Sequence, residues 1–265
     1  MSWRDVSWRA HAKLTLSLHV TGVRHDGYHL IDAEMVSLEL HDRLTFEPCE
    51  PPATPTLTAI GPFADGIPTD GTNLVARALD LAGSRADTTI DKHIPHGGGL
   101  GGGSTDAATA LRWAGFGAGR LELERAGRLG ADIPFCLVGG RAHVSGIGEL
   151  VEPLPHVART VTLVIPPLHV STPAVYRAWD ELGDRSNRDA RNDLEIAALV
   201  VEPDLARWRG LIHDRIGTAP TLAGSGATWF VEGRHEHELA DLAALGASVV
   251  VTHTVDAGRA TGPGT

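Results

Sequence analysis

What this 265-residue chain has little of narrows its chemistry before any motif is considered. It holds two cysteines, Cys49 and Cys136, far apart and in no Cys-x-x-Cys pair. That excludes a disulfide scaffold and suits a reducing cytoplasm. No apolar run approaches eighteen residues, and the N-terminal MSWRDVSWRAH lacks a signal-peptide core, so no membrane partner is expected. Positive charge is short as well: 23 Lys and Arg stand against 33 Asp and Glu, a formal net of −10. A nucleic-acid binder or an anionic-membrane binder needs the opposite balance. Histidines number fourteen, yet no His-Glu-x-x-His spacing turns them into a zinc site, and His235 and His237 read as the polar start of a helix. The expectation is a cytoplasmic protein with one large or two modest cores.

One stretch is over-supplied with glycine. From Ile94 to Leu111 the chain reads IPHGGGLGGGSTDAATAL, with glycines at 97, 98, 99, 101, 102 and 103. Glycine tolerates positive φ and lets backbone N–H groups close around a ligand. Ser104-Thr105-Asp106 supplies N-cap residue types, and an alanine-rich helix follows. A glycine nest opening into a helix N-terminus is an anion site, and its natural ligand is a phosphate chain. No Gly-Lys-Ser/Thr closes it, so it is not a Walker A loop. A literal G-x-G-x-x-G is present at Gly97, Gly99 and Gly102, but six glycines around one leucine make it almost by default. The half-polar Thr88–His93 before it does not read as the buried parallel strand a dinucleotide fold requires. A flexible linker would rarely run straight into a capped helix.

Taken in order, His11 to Thr21 alternates with period two, which predicts a strand with Lys13 and Thr15 on its polar face. That face reads equally as plain solvated sheet. After the turn at Gly22–Gly27, strands are expected from Tyr28 to Leu40 and from Asp42 to Glu47. Pro48 to Asp70 is proline-rich and reads as a surface excursion. A helix is expected over Thr72 to Ala82, with Asn73 placed to cap it. Another helix spans Leu121 to Leu129. Asp132, in Gly130-Ala-Asp-Ile-Pro-Phe135, is most simply a cap residue, though its apolar setting asks for a cationic partner. Strands follow from Leu137 to Ser145 and over Thr160 to Ile165, then a helix from Ala174 and another from Asn192. Glu236 to Leu245 has the pattern of an amphipathic helix, Ser248 to Thr252 of an edge strand, and Ala257 to Thr265 of a disordered tail.

The run Pro95-x-Gly-Gly-Gly-Leu-Gly-Gly-Gly-Ser-Thr-Asp-Ala-Ala108 resembles the phosphate loop of the GHMP kinases, the superfamily of galactokinase, homoserine kinase and mevalonate kinase. Ala12-Lys-Leu-Thr-Leu16 and His25-Asp-Gly-Tyr-His29 are similar to the opening of one of its branches, the 4-diphosphocytidyl-2-C-methyl-D-erythritol kinases. Gly130-Ala-Asp-Ile-Pro134, Asn192-Asp-Leu-Glu195 and Leu222-Ala-Gly-Ser-Gly226 also resemble segments of that family, and the resemblance runs over about residues 9–252. Two positions depart from it: Thr15 stands where the family has asparagine, and Ala223 where it has serine.

The resemblance implies an α+β, two-domain GHMP kinase fold of mixed and antiparallel sheets with helices, divided at 1–156 and 157–265, with ATP and substrate in the cleft between. It implies ATP-dependent phosphorylation of the 2-hydroxyl of the cytidylyl methylerythritol substrate in non-mevalonate isoprenoid synthesis. The alternatives are a mevalonate- or homoserine-type GHMP kinase, or a silent nucleotide-binding relative. Pro95, Gly97, Gly98, Gly99, Leu100, Gly101, Gly102, Gly103, Ser104 and Thr105 would hold the ATP phosphates, Asn73 the adenine, and the Ser104 hydroxyl a Mg²⁺ ion. Asp132 would orient or deprotonate the acceptor hydroxyl, with Lys13 pairing with it and neutralising the transferred charge. Thr15, His29 and Thr172 would line the substrate site, and Tyr28 and Tyr176 would sandwich its cytosine. The expected partner is this small molecule, with no nucleic acid and no membrane, on a monomer or weak homodimer.

Overall fold

A computed structural model describes residues 7–95, 97–183 and 190–262. Its frame is a pair of long antiparallel strands, β1 (Trp8–Val23) and β2 (His29–Pro48), joined at Gly27 and bulged at three places along their register. The two strands expected between Tyr28 and Glu47 are thus one strand of 20 residues. It stays unbroken because three successive partners occupy its other edge. β5 (Arg141–Gly146) pairs with residues 31–36, β10 (Ser248–Val255) with residues 37–38, and β4 (Ala86–Asp91) with residues 43–48.

The sheet runs β3 (Leu57–Ile60), β4, β2, β10, β7 (Thr160–Ile165), β9 (Trp229–Glu232), β8 (Thr221–Leu222), and β6 (Leu150–Leu154) extends it beside β5. β3 lies parallel to β4 inside the segment expected to be loop. β10 is not the edge strand its short valine run suggested. It pairs with β7 over six residues and with β2 at its end, so it sits inside the sheet.

β1 contributes to two cores, which explains why its alternation matters. Ala12, Leu14 and Leu16 pack with Leu38, Leu100, Leu163 and Phe230, whereas Ala10, Leu18 and Val20 join a larger core with α2 (Gly102–Trp113). The opposite face of the strand is not solvated. His11, Lys13 and Thr15 are all buried, and the Thr105 hydroxyl of α2 donates to the His11 carbonyl at 2.7 Å.

Four further expectations are corrected. Helix α2 starts at Gly102 with Gly101 as its N-cap, so Ser104, Thr105 and Asp106 lie inside its first turns and do not cap it. Ile133–Val138 is a short helix, α4, where Leu137 was expected to begin a strand. Of Glu236–Leu245 only Ala240–Leu245 is helical, as a 3₁₀ turn. The His235 N–H donates to Thr162 Oγ1 and its ring bonds the Glu232 carbonyl, which holds the preceding residues out of a helix. Finally, Ala257–Thr261 forms helix α8, capped by the Asp256 carboxylate and anchored by the buried Ala260 and the Arg259–Glu39 ion pair. Positions 263–265 of the expected tail lie outside the described residues. No helix among the described residues is long and apolar enough to cross a membrane.

Candidate active site

A cleft of about 890 Å³ opens where β1, the start of β2, the glycine run and the loop after β8 converge. Its glycine end is held by backbone packing. Leu100 is buried in the smaller core, and its carbonyl accepts the Lys13 N–H at 3.0 Å, so the run is tied to β1 at its middle. The Gly98 carbonyl accepts from Thr228 N at 3.2 Å on the other side. Two of the glycines are required by space as well as by φ. A Cβ at Gly99 (φ +75°) would meet the Gly226 and Ala223 carbonyl oxygens at 2.7 and 2.8 Å, and one at Gly101 (φ +69°) would meet Lys13 Cγ at 2.7 Å. Gly101 offers no side-chain cap, so the first-turn amides of α2, which have no intrahelical partner in any helix, are left without a side-chain acceptor at the positive dipole end.

Lys13 crosses beneath this loop. Its Nζ lies 3.2 Å from Thr15 Oγ1 and 3.2 Å from Asp132 Oδ2, with both flanking residues on the cleft wall. Asp132 stands at the N-terminal position of α4 but makes no side-chain cap bond there. Its carboxylate turns to the ammonium, as its apolar neighbours required. Gly224 closes the other side, with the place of its missing Cβ 3.7 Å from Thr15 Oγ1 and 3.8 Å from Lys13 Nζ. The loop carrying Gly224 is fixed by Asn192, whose amide donates to the Leu222 and Gly224 carbonyls at 2.9 and 2.7 Å. Next to it the Thr172 and Ser225 hydroxyls share a hydrogen bond of 2.7 Å. Cys136 lies buried behind Asp132, and burial pushes its thiol up to about 12, so it is neutral and no nucleophile.

At the far end the His29 ring packs on Tyr176 of helix α5 (Thr172–Leu182), centroids 4.6 Å apart. Tyr28 is 59% exposed at the rim, with the Arg24 guanidinium 5.6 Å from its ring centroid. The partner of the Tyr176 ring is therefore His29 and not Tyr28 in this structure.

The family model for the GHMP kinases N terminal domain matches residues 72–140. The 4-diphosphocytidyl-2-C-methyl-D-erythritol kinase of Paracoccus denitrificans is 39% identical over 239 residues, 83% of this chain and 84% of that protein. The one of Dinoroseobacter shibae is 40% identical over 207 residues, covering 77% and 69%. The chain belongs to the 4-diphosphocytidyl-2-C-methyl-D-erythritol kinase family. A crystal structure of a 4-(cytidine 5'-diphospho)-2C-methyl-D-erythritol kinase superposes with a TM-score of 0.73 at 29% identity over 94% of this chain and 98% of its own. Homoserine kinase from Cytophaga hutchinsonii (TM-score 0.58, 16% identity, 97% and 96% covered) shares the fold.

The kinase cleft gathers nearly every residue singled out from sequence. Lys13, Thr15, Tyr28, His29, Asn73, Pro95, Gly97 to Ser104, Asp132, Thr172 and Tyr176 all line it. Thr105 does not, since its hydroxyl is spent on the His11 carbonyl. Asn73 caps α1 (Leu74–Ala82): its Oδ1 accepts from Val75 N at 2.8 Å and its Nδ2 donates to the Pro68 carbonyl at 2.6 Å. Sequence reading missed a buried triad under the glycine run. Lys92 donates to Asp106 at 2.7 Å and to Asp42, and Lys92 and Asp106 reach the cleft wall. Desolvation, only partly offset by Lys92, raises the Asp106 carboxyl well above the usual range. The signal was available in Asp91-Lys92 and Asp106, but a lysine beside an aspartate in a half-polar strand reads as solvated charge.

Proposed function

We propose that this protein transfers the γ-phosphoryl group of ATP to the 2-hydroxyl of 4-diphosphocytidyl-2-C-methyl-D-erythritol. The observation that carries the reading is the Lys13–Asp132 pair at 3.2 Å, set in one cleft between an open glycine nest and a histidine–tyrosine end. Phosphoryl transfer needs alignment and charge stabilisation more than covalent help from the protein. The nest from Gly97 to Ser104 binds the phosphate chain through amides, leaving the γ-phosphoryl group near Lys13. Asp132 orients the acceptor hydroxyl or takes its proton, and the Lys13 ammonium stabilises charge on the transferred group. Tyr28 and Tyr176 offer stacking surfaces to the cytosine, and His29 offers its edge a polar group.

A Mg²⁺ ion fits this site as an ion carried largely by phosphate oxygens. No cluster of three His, Cys, Asp or Glu side chains is placed to hold a metal among the described residues, whereas Ser104 lines the cleft beside the nest glycines. Bound there, the ion would supply charge neutralisation to the phosphates, with Ser104 its ligand from this chain. We further infer a cytoplasmic enzyme, monomeric or weakly dimeric, in keeping with its two free thiols and acidic balance.

The test is ATP consumption by the purified protein with this substrate against mevalonate and homoserine, with and without Mg²⁺. Turnover confined to the cytidylyl substrate supports the reading. Equal turnover of mevalonate or homoserine overturns it.

A further inference from the structure

Helix α5 carries two residues one turn apart, Tyr176 and Asp180, that meet the same histidine. A spacing of four puts both on one face of the helix. Asp180 Oδ1 lies 2.7 Å from His29 Nε2, the Tyr176 ring lies 4.6 Å from the imidazole at 32°, and the Trp179 ring meets it edge-on at 5.6 Å. The imidazole is held on three sides, with its side chain only 10% exposed, and both His29 and Asp180 border the cleft. We propose that Asp180 is a positioning residue: it fixes which hydrogen-bonding edge His29 shows to the substrate base, and so selects a 4-amino pyrimidine over a 4-oxo one. This rests on the cytidylyl substrate proposed above.

The reasoning starts from what stacking cannot do. An aromatic surface accepts any base, because every base has a π-face. Discrimination between cytosine and uracil therefore falls to a polar group at the ring edge, where cytosine carries an amino donor and uracil a carbonyl acceptor. A neutral histidine has one donor and one acceptor nitrogen, and the bond made by one decides the role of the other. A carboxylate can only accept, so the Nε2 facing Asp180 carries the hydrogen. Nδ1 is then a lone-pair acceptor, and it has no hydrogen-bond partner among the described residues. It matches an amino group and opposes a carbonyl, lone pair against lone pair. Mismatch of this kind is how polar sites reject close analogues. Metal-bound histidines are oriented by outer carboxylates in the same way.

The test needs no turnover. CDP and UDP are titrated into the full chain without ATP, for the natural sequence, Asp180→Ala and Asp180→Glu, and ¹⁵N shifts of labelled His29 report which nitrogen is protonated. The natural sequence is expected to carry hydrogen on Nε2 alone and to prefer CDP. Asp180→Ala should narrow the CDP-to-UDP ratio by about two- to tenfold, the worth of one neutral hydrogen bond. It should also give mixed tautomers at His29 and raise KM for the cytidylyl substrate far more than it lowers kcat. Asp180→Glu, which keeps an acceptor, should restore part of the ratio. An Asp180→Ala protein that melts lower yet keeps the CDP-to-UDP ratio and the His29 shifts makes the contact merely structural and overturns the proposal. A natural His29 protonated on Nδ1 overturns it too. Preference for CDP lost in Asp180→Ala, in a protein that phosphorylates nothing, upholds this inference while the proposed reaction fails.

Discussion

Lys13 Nζ stands 3.2 Å from Asp132 Oδ2 in a cleft where Thr15 gives the same ammonium a second contact at 3.2 Å. Two elements far apart in sequence, β1 and the start of α4, thus converge on one charge. Asp132→Asn keeps the shape and removes the negative partner. Loss of a positioned acid–base group typically costs about 10²–10⁴ in rate. We expect kcat to fall by that factor, with KM for ATP nearly constant, because the glycine nest is untouched. Steady-state kinetics with both substrates varied decide it; a variant with more than about half its activity would return Asp132 to a plain helix-start residue.

Thr15 supports the lysine through its hydroxyl. Thr15→Val removes that hydroxyl at nearly the same volume, in a residue 2% exposed. A lost neutral hydrogen bond costs about 0.5–1.5 kcal/mol, so a several-fold loss of kcat is expected, recovered in Thr15→Ser. Equal kinetics for Thr15→Val and the natural sequence would show that Lys13 needs no such support.

Two glycines of the same run should respond in opposite ways. Gly99→Ala forces a Cβ to within 2.7 Å of the Gly226 carbonyl oxygen at φ +75°. The cost expected is about 1–3 kcal/mol in stability together with weakened ATP binding. Gly103, inside α2, has only Leu74 Cδ1 at 3.6 Å and no positive φ. There alanine should raise stability by about 0.5–1 kcal/mol. Thermal melts of the two variants test the contrast, and matching shifts would refute it.

Stability should fall on mild acidification because of His11. Burial depresses its pKa to about 4 from 6.5; its Nδ1–H donates to the Leu38 carbonyl at 2.7 Å, and its buried Nε2 has no partner. The unfolded chain binds a proton near pH 6.5 that the folded chain refuses until about pH 4. Stability from this group is therefore present above 6.5 and lost as pH falls to 4, at most about 3 kcal/mol. Asp106 acts with the opposite sign: its raised pKa makes its contribution shrink as pH rises above the usual carboxylate range. Chemical denaturation between pH 4 and 7 should show a flatter acid limb in His11→Asn and a steeper rise with pH in Asp106→Asn. Unchanged slopes would mean that burial shifts neither group.

Local pattern carried the site further than it carried the fold. Alternation placed Lys13 and Thr15 together, and they hydrogen-bond to each other. Glycine density located the nest, because positive φ and close approach are properties of the residue itself. The cap at Gly101 was misplaced because Ser104 and Asp106 have cap chemistry, while tertiary contacts claim Asp106 for Lys92. β10 was misjudged for a related reason: only the arrival of β2 and β7 makes a short valine strand internal. The His29–Asp180 contact spans 151 residues, and no local pattern announces it.

The position of β10 also bears on how the chain is assembled during synthesis. Among the described residues it follows the other nine strands in sequence yet lies between β2 and β7, so the strands made before it form two unjoined sheet fragments. A nascent chain on the ribosome would expose the facing edges of β2 and β7 until residues 248–255 emerge, an interval in which unpaired edges invite wrong partners. Pairing delayed to the end also places the closure of this sheet among the long-range, slow events of folding.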